Sequence, residues 1–80
     1  MVYPEFYAVF PDGDVQEIGG PLRIDSLVDL NGRPLALPLA TSRMIAYRVV
    51  KIRKKEERGE EASYHYLELV PATELLAYTR

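Results

Sequence analysis

The sequence predicts an all-β domain: a small, strongly bent barrel of the SH3-like type, with an OB-like barrel or a two-sheet β-roll as the alternative. Two observations predict it. Three pairs of strand-like runs are each joined by a turn, at Pro11-Asp12-Gly13, at Asn31-Gly32 and around Arg58-Gly59. The links between these hairpins are short, and the only helical signal is a short stretch near the C-terminus. The SH3-like assignment rests on strand count and size, and fold alone does not deliver function.

The longest hairpin organises the rest. It runs from Met44 to Val70 and turns at Glu57-Arg58-Gly59. Two turns are possible. A two-residue loop, Arg58-Gly59, sets Ile52 opposite His65, Val49 opposite Glu68 and Arg48 opposite Leu69. A three-residue loop, with Gly59 in the left-handed conformation of a bulge, shifts the pairing by one. Arg48 then faces Glu68, Lys55 faces Glu61, Val49 faces Leu67 and Tyr47 faces Leu69, while Val50 and Ile52 face Tyr66 and Tyr64. Opposite charges and apolar-aromatic pairs each contribute about 0.2–1 kcal/mol across a ladder, so the second register is preferred. It leaves the base apolar on both faces and the tip, Lys51 to Ser63, as a solvated charged ribbon.

The remaining elements follow in order. Glu5 to Phe10 reads as an aromatic-rich strand, and Asp14 to Ile18 returns antiparallel to it, with Val9 near Val15 and Phe6 near Ile18. Gly19-Gly20-Pro21 breaks the pairing at a corner. Leu22-Arg23-Ile24 reads as a short strand. Ser26 to Leu30 and Arg33 to Leu37 flank Asn31-Gly32, where a two-residue turn would pair Val28 with Leu35. Pro34 lacks an N–H, which places its strand at an edge or leaves it paired on one side only. Pro38 to Ser42 is a loop. Pro71 suits a first helical position and Glu74 a first turn, so Pro71 to Tyr78 reads as about two turns of helix. Leu75 and Tyr78 would plug one end of the barrel.

Composition narrows the function classes. The 80 residues suffice for one small core, residues 1–80 forming one domain with the hairpin protruding. No cysteine is present, so disulfides and thiolate chemistry are excluded. No apolar run approaches the roughly 20 residues that span a membrane, and no signal peptide is read at the start, so a soluble cytoplasmic protein is expected. Few amides among many Glu and Arg hint at a thermophilic source.

Charge is unevenly placed. Residues 1–40 carry six acids and two bases, net −4, and residues 41–80 carry eight bases and six acids, net +2. Arg43, Arg48, Lys51, Arg53, Lys54 and Lys55 form a run without an acid, and the sign then reverses at Glu56, Glu57, Glu60 and Glu61. Lys51, Arg53, Lys54, Lys55 and Tyr64 are the candidate interaction surface. Basic residues beside aromatics suit nucleic acid, but the acidic chain (pI ≈ 5.3) and the adjacent glutamates argue against it.

Catalytic and metal constellations are weak. His65 is the only histidine; the chosen register places it opposite Lys51, as a solvated strand residue and a poor general base. Asp12-Gly13-Asp14 and Asp29-Leu30-Asn31-Gly32 resemble calcium-loop fragments, but with Gly32 at the loop glycine the terminal glutamate position falls on Pro38. No phosphate loop is present. No catalytic residue, cofactor or metal is expected. The preferred reading is a non-catalytic binding or assembly module, with a small nucleic-acid-binding barrel as the alternative and an enzyme last. A homodimer is expected in which Tyr3, Phe6, Tyr7 and Phe10 supply apolar or edge-strand contact, with Phe6 or Tyr7 near its own symmetry mate; the alternative is a monomer whose barrel closes over both faces of that strand.

Overall fold

The computed structural model describes residues 3–79. Five strands, β1 (Glu5–Val9), β2 (Val15–Ile18), β3 (Leu27–Val28), β4 (Tyr47–Glu57) and β5 (Glu60–Leu69), precede a helical turn, α1 (Ala72–Leu75), that continues as a 3-10 turn over Leu76–Tyr78. The strands form one mixed sheet in the order β2-β1-β5-β4-β3, curled into a half-barrel. The protein is mostly β, as the sequence predicts.

The hairpin β4–β5 uses both of the registers that its sequence permits. At the tip, Arg58 (φ 48°) and Gly59 (φ 80°) both adopt positive φ, the signature of a two-residue turn that matches strand twist. Glu57 then lies opposite Glu60, Lys55 opposite Ala62 and Ile52 opposite His65. At the base, Tyr47 faces Leu69, Arg48 faces Glu68 and Val49 faces Leu67. The two registers differ by one residue, and β4 absorbs the difference in a bulge at Val50, between Val49 and Lys51. The expected Arg48–Glu68 pairing and positive φ at Gly59 are therefore present. The expected Lys55–Glu61 pairing and the His65–Lys51 pairing are not, because above the bulge the turn dictates the alignment.

The base register is held by a charge pair that also fastens the C-terminus. Arg48 Nε donates to Glu68 Oε1 at 3.0 Å, and its Nη1 lies 2.8 Å from Glu74 Oε2 on α1. These hydrogen bonds, Glu68's first, raise the guanidinium pKa further above its usual value. Pro71 is the N-cap of α1 rather than its first helical residue. Leu75 is fully buried, and with Leu27, Leu39, Ala46 and Val70 it forms a core cluster at one end, against which Tyr78 packs. That is the plug the sequence predicts.

β1 lies in the sheet's interior. It pairs antiparallel with β2, Phe6 facing Ile18 and Val9 facing Val15, and parallel with β5, Glu5 facing Ala62 and Val9 facing Tyr66. The edge-strand version of self-association is thus corrected: both edges of β1 are occupied. Strand alternation sends Phe6 and Ala8 inward with Phe10, and Glu5, Tyr7 and Val9 outward. Phe10 is buried and meets Tyr47 edge-on, ring centroids 5.0 Å apart. It joins Ala8, Leu22, Val28, Val49 and Leu67 in the main core cluster. The hairpin tip projects beyond this core, giving an elongated shape of 46 × 22 × 17 Å. It is not free on both sides, because β1 covers β5 as far as Ala62.

The second turn also departs from expectation. Asp29 and Arg33 bracket a three-residue loop, with Asp29 N–H donating to Arg33 O (2.9 Å) and Gly32 N–H to Asp29 O (3.0 Å). Asp29 Oδ1 accepts from the amides of Asn31 and Arg33, which stabilises the longer loop. Val28 therefore bridges to Pro34, not to Leu35. Gly32 has φ 75°, and a Cβ there would lie 2.9 Å from Ile18 Cγ2, so the position requires glycine twice over.

Leu22-Arg23-Ile24 is not a strand; it is a loop pinned by His65. His65 is 1% exposed, which overturns its assignment as a solvated residue. Leu22 N–H donates to Nε2 (3.2 Å), and Nδ1–H donates to Tyr7 O (2.9 Å). One neutral tautomer satisfies both bonds. The cause of the correction is that His65 shares the inward face of β5 with Leu67, two residues on, and that β1 and the Leu22 loop pack against it there. His65→Ala opens a cavity and strands two buried backbone groups, so it is expected to cost about 2–4 kcal/mol. Urea denaturation checks this; a loss below about 0.5 kcal/mol would return His65 to the surface.

Candidate interaction surface

The outer face of the sheet reads as three rows across the strands. Glu5, Ala62 and Lys55 form the row nearest the tip; Glu17, Tyr7, Tyr64 and Arg53 form the middle row; Val15, Val9, Tyr66 and Lys51 form the third. Each row ends in a cation on β4, and the two nearer the tip begin in a glutamate on β1 or β2. Tyr7, Tyr64 and Tyr66 occupy the centre. Tyr7 and Tyr64 stack with ring centroids 5.1 Å apart and planes 16° from parallel. All three tyrosines are half-buried.

Lys51, Arg53, Lys55 and Tyr64 of the predicted surface thus share one face. Lys54 does not: alternation points it to the inner face, where it lines a depression with Phe6, Ile52, Glu61, Ser63 and His65. Tyr64 and Tyr66 border a shallow outer depression together with Arg53, Lys54 and Lys55. Tyr66 and Tyr7 are missing from the predicted surface. Tyr66 was assigned to the hairpin's apolar base by a register that lacks the Val50 bulge; its spacing of two from Tyr64 was the available signal. Tyr7 reaches the face only through the parallel β1–β5 pairing. Of the residues predicted for self-association, Phe10 lies in the core and Phe6 on the inner face, 6.4 Å from the His65 ring. Tyr7 is on the outer face, and Tyr3, ahead of β1, is exposed.

Charge on this face is mixed. Beyond the rows, Glu57 opposes Glu60 near the tip. Three cations therefore meet four carboxylates, Glu5, Glu17, Glu57 and Glu60. Tyr7 Oη donates to Glu5 Oε2. That bond, then partial burial and the charges of Glu5, Glu17 and Tyr64, push the Tyr7 pKa up to about 12.

The inner depression brings Ser63, His65 and Glu61 together, the residue types of a hydrolytic constellation. Both His65 nitrogens are already committed to backbone partners. The imidazole therefore holds the loop and strand together and has no nitrogen free to accept a proton from Ser63. Among the described residues, no three His, Cys, Asp or Glu side chains converge as metal ligands, and no helix is long and apolar enough to cross a membrane.

The chain belongs to the family described as "Uncharacterised Treponema protein", which matches residues 2–78. No curated protein and no solved structure matches it.

The stacked pair makes a measurable claim about pH. The folded protein keeps the Tyr7 proton where the unfolded chain, with the ordinary value of 10.0, releases it. Its contribution to stability is complete below about pH 10 and is lost as pH rises through about 12. In an ultraviolet phenolate titration, Tyr7 is expected to give a late step at about pH 12. Tyr7→Phe removes that late step, and Glu5→Gln moves it down. A titration in which Tyr7→Phe removes an early step contradicts the Glu5 hydrogen bond.

Proposed function

We propose that the protein is a non-catalytic binding module that docks another protein on the outer face of its sheet. One observation carries this reading: the Tyr7–Tyr64 stack, with Tyr66 beside it, lies on the outer face of the sheet, tipward of the base end where α1 packs on Val70 and Glu74 meets Arg48. Tyrosine supplies large contact area at low entropic cost and a polar handle at its rim. The charges flanking it, glutamates on the β1–β2 side and cations on β4, suit orientation and selectivity more than raw affinity. The use of both His65 nitrogens in structural bonds supports a module without acid-base catalysis.

Nucleic acid is the second reading. The outer depression favours it, since Arg53, Lys54 and Lys55 border it beside Tyr64 and Tyr66. The four carboxylates on the same face weigh against it, because a phosphate backbone would meet them as well.

The test uses the full chain and a Tyr64→Ala/Tyr66→Ala variant whose circular dichroism remains native. Immobilised wild type is expected to retain a protein partner that resists nuclease and survives a rise from roughly 50 to 200 mM salt. The variant is expected to lose it. Retention of the same partner by both overturns the outer-face reading. Recovery of nucleic acid that is released steeply by salt selects the alternative.

A further inference from the structure

We infer that two copies of this chain join edge to edge along β4, forming a continuous sheet of ten strands about a two-fold axis. The argument begins with an open edge. β4 lies between β5 and β3, but β3 faces only Tyr47 and Arg48, and its flanking loop ends where Asp25 N–H donates to Val49 O and Val49 N–H donates to Ser26 O. From Lys51 to Glu57 the far side of β4 has no strand of the described residues beside it. The two-residue turn makes Glu57–Glu60 the hydrogen-bonded closing pair, and alternation then directs the peptide groups of Ile52, Lys54 and Glu56 to that open side.

An exposed edge rich in lysine usually reads as protection against unwanted pairing. Here the sign of charge reverses halfway along the edge, from Arg53-Lys54-Lys55 to Glu56-Glu57. An antiparallel copy of such a segment is complementary to itself. A two-fold axis normal to the sheet requires that opposed residues lie on the same face, so one-residue slips are excluded. With Lys55 at the axis, Arg53 opposes Glu57 of the second copy and Lys54 opposes its Glu56, each twice. The only like pair is Lys55 with its own mate, whose long side chains can splay into water. Slipping two residues either way halves the opposite-charge pairs and adds like ones. The partner's turn then ends beside Lys51 and Ile52, short of the loop that covers Val49.

The tip supplies a second, independent observation. Glu56 opposes Glu61 and Glu57 opposes Glu60, two like-charge pairs set directly across the hairpin. Such pairs are destabilising. Among the described residues the ion pairs are those of Arg48 with Glu68 and Glu74, so no cation of the described residues pairs with these four glutamates. Lys54 and Arg53 of a second copy would.

The inference does not depend on the docking face. Sedimentation of the full chain across a concentration series is expected to show a monomer–dimer equilibrium that weakens with salt. Two charge-reversed variants test the register: Arg53→Glu/Lys54→Glu, and Glu56→Lys/Glu57→Lys. Each alone is expected to dimerise roughly tenfold or more weakly, since every opposed pair becomes like-charged. Their equimolar mixture is expected to restore the dimer, because each pair is again opposite in sign. Tyr64→Ala/Tyr66→Ala is expected to leave the dimer mass unchanged. In the wild type, exchange of the Lys54 and Glu56 amides is expected to slow as concentration rises, a readout that needs no variant. A wild type that stays monomeric into the high micromolar range overturns the proposal. So does a dimer that persists in both charge-reversed variants, or one that is lost with the tyrosines.

Discussion

A two-residue turn at the hairpin tip and an apolar base demand registers one residue apart, and the bulge at Val50 is where β4 accommodates both. Below it, Val49 and Leu67 face each other in the core, and Arg48 reaches Glu68 and Glu74. Above it, every residue of β4 is opposed to a residue one place further along β5. Without the extra residue, one of the two ends would present its side chains to the wrong face. A bulge also increases local twist, which suits a sheet that must curl over two small core clusters. The faces of Lys51, Arg53 and Lys55 relative to the core follow from this one adjustment, whereas those of Tyr64, His65 and Tyr66 follow from the unbroken alternation of β5.

His65 is the second constraint. Its imidazole connects three segments distant in sequence: β5, the carbonyl of Tyr7 on β1, and the amide of Leu22 in the loop after β2. A parallel pair such as β1–β5 must be assembled from strands separated by most of the chain, and such pairs gain little from local contacts. A buried side chain that hydrogen-bonds both the incoming strand and the returning loop specifies that arrangement. The Cβ space that Gly32 leaves free over Ala8 and Ile18 lets the second turn close on the same region.

Much of this was legible in the sequence, and the limits have physical causes. Turn chemistry identifies the first and last hairpins and the site of the middle turn, whose second arm forms no strand and makes only the Val28–Pro34 bridge, and Pro71 with Glu74 marks the terminal helical turn. Local pair chemistry ranks Arg48–Glu68 correctly, because those residues lie on the base side of the bulge. It misplaces Lys55 and His65, because nothing local to Val50 announces an inserted residue. The parallel pairing of β1 with β5 leaves no turn between the strands to read. For that reason Tyr7 beside Tyr64, the centre of the candidate surface, was beyond sequence reasoning, while Arg53 and Tyr64 were within it. Phe10 is a plainer case: its aromatic ring reads equally well as interface or core, and only the course of β1 decides for the core.

The charge asymmetry of the chain becomes a spatial gradient once the sheet order is known. The acidic N-terminal half supplies β1 and β2, the basic run supplies β4, and β5 stands between them with its tyrosines. This gradient separates the two ways in which the molecule could meet a second copy. Face-to-face packing could oppose Glu5 and Glu17 to Lys51, Arg53 and Lys55, but it would bury the tyrosines and close the proposed docking surface. Edge-to-edge pairing about an axis normal to the sheet keeps both outer faces on the same side. It places two tyrosine clusters on one surface, so that a partner with two matching elements would bind the second at a high effective concentration. The same segment of β4 can therefore serve assembly through its backbone edge and recognition through its outward side chains, because a strand's hydrogen-bonding edge and its two faces are separate surfaces.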